Sequence, residues 1–201
     1  CNPASLRRLM RALTSLAICT ENADGSYAIT KLGSLLKSDV HPSIRSWAIW
    51  SSQCQWELWG GMLDSVKTGE SARKRVTGGS GYDHLADDSR MAAVFYRAMI
   101  EITRQISGAV AHGCDLSSAR RLVDIGGGHG ELLAAVLDAH PRLKGVLFDL
   151  PHAIEGARSK LEKAGLAQRC EIVGGSFFES VPAGADVYML KSILHNWDDE
   201  H

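Results

Sequence analysis

From Arg120 onward the sequence alternates short apolar runs with amphipathic ones, and no other feature restricts the possible fold so severely. RLVDI reads as a strand, ELLAAVLDAH as a helix stopped by Pro141, and GVLFD as a second strand ending at Asp149. Pro151 predicts the start of a helix carrying Ala153, Ile154, Ala157 and Leu161 and ended by Gly165; EIV and DVYML follow as two more strands. Strand–helix repeats of this kind join parallel strands by right-handed crossovers, because only that hand packs the helix back onto the sheet. The expected fold class is therefore α/β, a doubly wound, Rossmann-like parallel sheet. Its topology gathers the loop after each strand on one edge, where ligands bind.

The region before this sheet is organised differently. Asn2 and Pro3 make a cap and first residue for a helix carrying Leu6, Leu9, Met10, Leu13 and Leu16. ICTENADGSYAIT then reads as two short strands around an Asp24-Gly25 turn, and TKLGSLLK again as helix. Helix, hairpin and short helix in this order suggest a winged-helix-like unit. Such a unit binds DNA, with Arg7, Arg8 and Arg11 facing phosphates, or serves as a dimerisation scaffold with a solvated arginine face. A net charge of −1 favours the scaffold and argues against nucleic acid as a partner. Residues 44–67 carry Trp47, Trp50, Trp56 and Trp59 on helices, most of them for a core or a subunit interface. RKRVTGGSG (73–81) reads as a solvated loop. From Asp88 a stripe including Met91, Phe95, Met99, Ile102 and Ile106 recurs at helical spacing up to Gly113, long enough to join two domains. The expected organisation is a winged-helix-like region over 1–78, connecting helices over 79–118, and the sheet over 119–201.

Composition narrows the remaining classes. Apolar residues make up 45% and charged residues 22% of the 201, as in ordinary globular proteins. No apolar run approaches the ~20 residues a membrane span requires, and CNPASLRRLM has no apolar signal core. Cys1, Cys19, Cys54, Cys114 and Cys170 are scattered without a C-x-x-C pair, so neither a zinc site nor a disulfide frame is expected, and the reduced cytoplasm is the default setting.

The first strand of the sheet runs into VDIGGGHG. The dinucleotide fingerprint G-x-G-x-x-G, counted from Gly126 and Gly128, requires a third glycine where Glu131 stands, and a carboxylate there would meet the pyrophosphate. A phosphate-gripping P-loop fails as well, because no Gly-Lys-Ser/Thr follows. The residues do fit D-x-G-x-G-x-G through Asp124, Gly126, Gly128 and Gly130. An acid ahead of the glycines suits a ligand whose nearest group is cationic, and S-adenosylmethionine has an ammonium and a sulfonium but no phosphate. Asp149, at the end of the second strand, falls near where an acid takes ribose hydroxyls. The plainer alternative is a glycine turn beside two ordinary surface acids.

VDIGGGHG, FDLPHAIEGA, GGSFFESVP and LKSILHNWDDEH together resemble the S-adenosylmethionine-dependent O-methyltransferases of the caffeate and acetylserotonin type, in the bacterial secondary-metabolite branch. The resemblance covers nearly the whole chain and implies a homodimer, with the N-terminal region for dimerisation and 119–201 as the first half of the cofactor domain. It places Asp124, Gly126, Gly128 and Gly130 at the methionine end of the cofactor, and Asp149 with Leu150 at the ribose. Lys191 and Thr103 match family positions near the cofactor. The family has Gly-Asp before its Phe pair, whereas Ser176 follows Gly175 here; Phe177 remains to pack on the adenine ring. Phe95 and Met99 match the substrate wall for a small hydroxylated acceptor, and Trp50 is the tryptophan assigned beside them.

His195 matches the family's catalytic base. A hydroxyl is a poor nucleophile until its proton leaves, and imidazole takes protons near neutrality. The alternative role is a structural histidine capping the helix of NWDDEH, in which Asp198, Asp199 and Glu200 would be first-turn acids. His129, His140, His152 and His201 read as surface residues. Two other functions stay open: the same scaffold redirected to hydroxylation, C-methylation or rearrangement, and a winged-helix protein whose second domain senses a nucleoside. Family members continue past this motif with further strands and with carboxylates that orient the histidine, so a chain from Cys1 to His201 looks cut at both ends.

Overall fold

A computed structural model describes residues 1–78, 85 and 88–197. The chain divides into two compact units, Cys1–Glu101 and Ile102–His201, and the division falls inside one long helix.

The first unit opens with α1 (Pro3–Ser15), where the Asn2 side chain accepts the Ser5 N–H and Pro3 occupies the first turn, as the sequence predicts. Strands β1 (Cys19–Glu21) and β2 (Tyr27–Ile29) pair antiparallel around the Asp24-Gly25 turn, and α2 (Lys31–Ser34) follows, capped by Thr30. Next come α3 (Arg45–Trp50), a π-helical turn at Ser51–Gln55, α4 (Trp56–Gly60) and α5 (Met62–Thr68). The π turn carries the helical run from α3 into α4 without a gap, within the stretch the sequence reads as helices. Residues 73–77, expected in a loop, instead belong to α6 (Ala72–Thr77), which is capped by the Ser71 hydroxyl and closed by Gly78 at φ +74°. Residues 79–81 of that expected loop lie outside the described residues. Trp50, Leu85 and Ala98 form the buried core of this unit, packed against Trp47, Phe95 and Met99 among others.

The long helix is α7 (Ser89–Gly113), whose start is capped by the Asp88 carboxylate accepting the Met91 N–H. The second unit then follows the expected alternation: β3 (Arg121–Ile125), α8 (Glu131–Ala139), β4 (Lys144–Asp149), α9 (Ala157–Lys163), β5 (Cys170–Gly174) and β6 (Val187–Met189). The four strands are all parallel in the order β5-β4-β3-β6, so β3 and β4 are central. The helix expected from Pro151 starts only at Ala157. Residues 151–156 form turns, and Gly156 at φ +83° immediately precedes the helix.

Period-two alternation divides the sheet's side chains between two cores. Leu122 and Leu147 pack with Leu133, Val136 and Leu137 of α8, whereas Val123, Ile125, Val146 and Phe148 form a separate cluster. A Cβ at Gly145 would lie 2.9 Å from Leu133 and 3.0 Å from Leu137, so the missing side chain lets α8 settle against β4. Among the described residues, no helix is long and apolar enough to cross a membrane.

Candidate active site

The loop after β3 is held to β4 by its backbone. The Gly126 N–H donates to the Phe148 carbonyl at 2.8 Å, and the Gly130 N–H closes the loop onto the Gly127 carbonyl at 2.9 Å. Gly126, Gly128 and Gly130 all adopt positive φ. Gly127 is glycine for a different reason: its Cβ would lie 2.7 Å from Asp124 Oδ2 and 2.5 Å from Leu147 Cδ1. The loop therefore lies directly over the acid that precedes it.

Asp124 is 2% exposed. Its Oδ2 has no hydrogen-bond partner among the described residues. Burial, foremost, and then the charge of Asp149 push its carboxyl up to about 7, against the opposing pull of Lys191 and the Leu133 amide. Asp149 is more fully engaged. Its Oδ2 accepts the Gly128 N–H at 2.8 Å and its Oδ1 accepts the Leu150 N–H at 2.7 Å. Burial raises its pKa, while those two amides and the nearby His152 and His129 hold it back. Asp149 thus clasps the glycine loop, a role the sequence did not suggest. Each oxygen keeps a second lone-pair direction for a hydroxyl.

Lys191 follows β6 and donates to Thr103 Oγ1 of α7 at 2.8 Å. Burial lowers its pKa and Asp124 opposes that shift. His195 sits on a 3₁₀ turn, Leu194–Asn196, where it is exposed and makes no side-chain hydrogen bond among the described residues. After β5, the Ser176 hydroxyl accepts the Phe178 N–H at 3.3 Å. Phe177 packs against the cluster around Phe148 and stands 6.1 Å from the Trp197 ring. Leu150 is 37% exposed. In the first unit, Trp50 and Phe95 place their ring centroids 5.0 Å apart, Trp50 being enclosed at 2% exposure with Met99 packed on the same cluster.

Three expectations need correction. Glu131 is not a bare carboxylate at the start of α8: Arg104 donates to it at 2.9 Å and Lys160 bonds its other oxygen. Burial pushes its pKa up, but these two partners outweigh burial and hold it below the ordinary value. The case against a dinucleotide therefore rests on the missing third glycine and on the buried Asp124, not on a free charge at Glu131. His129 is half-buried in the glycine loop, and burial and Lys160 together lower its pKa. His140 is half-buried too, its Nε2 2.8 Å from the Ala111 carbonyl of α7. These partners come from distant elements, so no local sequence signal announces them. His152 is exposed as expected. Asp198, Asp199, Glu200 and His201 lie outside the described residues.

A buried carboxyl with one oxygen unpartnered among the described residues, beneath bare backbone and with a ribose-type acid on the next strand, fits a nucleoside ligand carrying positive charge. Comparisons with known proteins point the same way. The family model for the O-methyltransferase domain matches residues 59–201. The phenazine O-methyltransferase of Lysobacter antibioticus is 40% identical over 195 residues, covering 97% of this chain and 57% of that relative. The structure of a mitomycin 7-O-methyltransferase matches with a TM-score of 0.88 at 40% identity, over 98% of this chain and 59% of that one. An O-methyltransferase from neocarzinostatin biosynthesis, solved with S-adenosylmethionine and 2-hydroxy-5-methyl naphthoic acid, matches with a TM-score of 0.82 at 33% identity, over 98% and 61%. The aclacinomycin 10-hydroxylase of Streptomyces purpurascens is 34% identical over 99% of this chain and 54% of its own length. The chain thus spans a little over half the length of the curated relatives it matches.

Proposed function

The chain belongs to the O-methyltransferase domain family, and on that footing we propose that the intact protein transfers a methyl group from S-adenosylmethionine to a hydroxyl of a small aromatic secondary metabolite. The observation that carries this reading is Asp124, a buried carboxyl with one oxygen unpartnered among the described residues, under a glycine loop that fits no phosphate motif. Asp124, with Gly126, Gly128 and Gly130, would attract the cationic methionine end, and Asp149 would accept from the ribose while its own amide bonds keep the loop closed. Leu150, Ser176 and Phe177 would border the nucleoside, and Lys191, steadied by Thr103, would balance the charge of Asp124. When bound, S-adenosylmethionine supplies a methyl group activated by its sulfonium.

The chain's own contribution to reactivity would be His195. Its exposed imidazole can take the proton from an acceptor hydroxyl and turn a weak nucleophile into a strong one. Phe95 and Met99, backed by the enclosed Trp50, would form the acceptor wall. The expected test result is that His195→Ala lowers kcat by about a hundred- to ten-thousand-fold, with cofactor affinity nearly intact. Partial recovery should follow as pH approaches the pKa of the acceptor phenol. Radiolabelled methyl transfer to 2-hydroxy-5-methyl naphthoic acid and other hydroxylated aromatic acids measures this. A mutant working near the wild-type rate at neutral pH would remove His195 from the mechanism.

The hydroxylase relative supports a second reading, in which the scaffold is redirected to hydroxylation. In that case the wild type would bind the cofactor yet label no acceptor. As to partners, we read 1–78 as a winged-helix-like dimerisation region, 79–118 as connecting helices and 119–201 as the first half of the cofactor domain. Leu9, Leu16, Trp56, Trp59 and Val66 are all more than half exposed in the single chain, which suits burial in a homodimer. The net charge of −1 speaks against nucleic acid. Five free cysteines suit the cytoplasm.

A further inference from the structure

Among the described residues no hydrogen bond holds the His195 ring, and its place there is set by the backbone turn that carries it. That turn is fastened at both ends: Lys191 donates to Thr103 at 2.8 Å, and the Trp197 ring meets Phe178 edge-on at 4.6 Å. Between them Ser192 stands at φ +59°, a left-handed conformation that side-chain-bearing residues adopt only when their surroundings impose it. Its carbonyl accepts the Asn196 side-chain amide at 3.0 Å, and the Asn196 N–H closes onto the Ile193 carbonyl at 3.0 Å. The bend aims Ile193 at the glycine loop. A Cβ on Gly126 would lie 2.3 Å from Ile193 Cδ1 and 2.9 Å from its Cγ1, so the side chain occupies the space that the glycine leaves bare. Gly126 cannot retreat, because its N–H is bonded to the Phe148 carbonyl at 2.8 Å.

We infer that Ile193 is a positioning residue: wedged against Gly126, it fixes the turn bearing His195 relative to the glycine loop. The inference rests on reading His195 as the base and the loop as the cofactor site. It gives Gly126 a second reason to be glycine besides its positive φ, since a Cβ there would displace the Ile193 side chain from the loop. It also accounts for the left-handed Ser192, whose bend brings Ile193 to the loop.

Ile193→Val is the sharpest probe, because it removes the Cδ1 methyl that reaches Gly126 and keeps the branched stem. Ile193→Leu restores a terminal methyl. In the ligand-free protein, amide resonances of both Gly126–Gly128 and Leu194–Trp197 should shift in Ile193→Val and move back toward wild type in Ile193→Leu. In the intact enzyme, Ile193→Val should lower kcat about ten- to a hundredfold, the scale of a small misplacement of a reacting group. Its dissociation constant for S-adenosylhomocysteine and its KM for the acceptor should stay within about twofold. Shifts confined to residues 192–194, or a kcat near wild type with only a lowered Tm, would overturn the inference. If the wild type methylates no acceptor, the functional reading fails, and the amide resonances still decide whether the wedge exists.

Discussion

Replacing Asp124 by Asn isolates the most perturbed carboxyl in the second unit. The group is pushed up to about 7 from an ordinary 3.8, chiefly by burial and then by Asp149. The sign follows from linkage: a carboxyl whose folded pKa is raised holds its proton more tightly in the folded chain. Its contribution is complete below about pH 4 and is lost as pH rises toward 7. A shift of roughly three units at about 1.4 kcal/mol each amounts to about 4 kcal/mol, of which about 3 kcal/mol falls between pH 5 and 8. Asn is uncharged at every pH and nearly the same shape, so Asp124→Asn should remove that slope and leave the protein more stable than wild type at pH 8. Urea unfolding at pH 5, 6, 7 and 8, followed by tryptophan fluorescence and far-ultraviolet circular dichroism, measures the difference. Equal pH slopes in the two proteins would refute the reasoning, because the carboxyl would then be solvated or paired in the folded chain.

Asp149→Ala removes both the ribose acceptor and the clasp on Gly128. Calorimetry should find S-adenosylhomocysteine bound more weakly by about 1.5–3 kcal/mol, and hydrogen exchange at the Gly128 amide should quicken; unchanged affinity would place the ribose elsewhere. Glu131→Ala leaves the half-buried Lys160 without its carboxylate and frees Arg104. It should cost about 1–3 kcal/mol in urea unfolding, and a loss below a few tenths would show that the three-residue network is idle.

The central strands and the glycine loop were legible because their signals are local. RLVDI and GVLFD are short apolar runs, and the loop's left-handed positions are spelled in glycine. Sequence and structure part where one local signal masks another. The basic run Arg73–Arg75 looked like a loop, yet Ser71 and Gly78 are ordinary helix-end residues on either side of it. Pro151 looked like a helix start, but the turn at Gly156 intervenes before the helix can begin. The site's electrostatics were the least legible part. Glu131 meets Arg104 from α7 and Lys160 from α9, and Asp149 meets Gly128 across two strands. Those partners are chosen by the packing of the sheet, not by spacing along the chain. No local signal marks Ile193, because its contact with Gly126 joins the loops after two different strands.

The central claim is that the loop from Asp124 to Gly130 accepts a cationic nucleoside and not a dinucleotide. Isothermal titration of the protein with S-adenosylmethionine, S-adenosylhomocysteine and NAD compares the alternatives directly. Both sulfur nucleosides should bind, and NAD should give no heat beyond dilution. Binding of NAD with no response to either sulfur nucleoside would contradict the account.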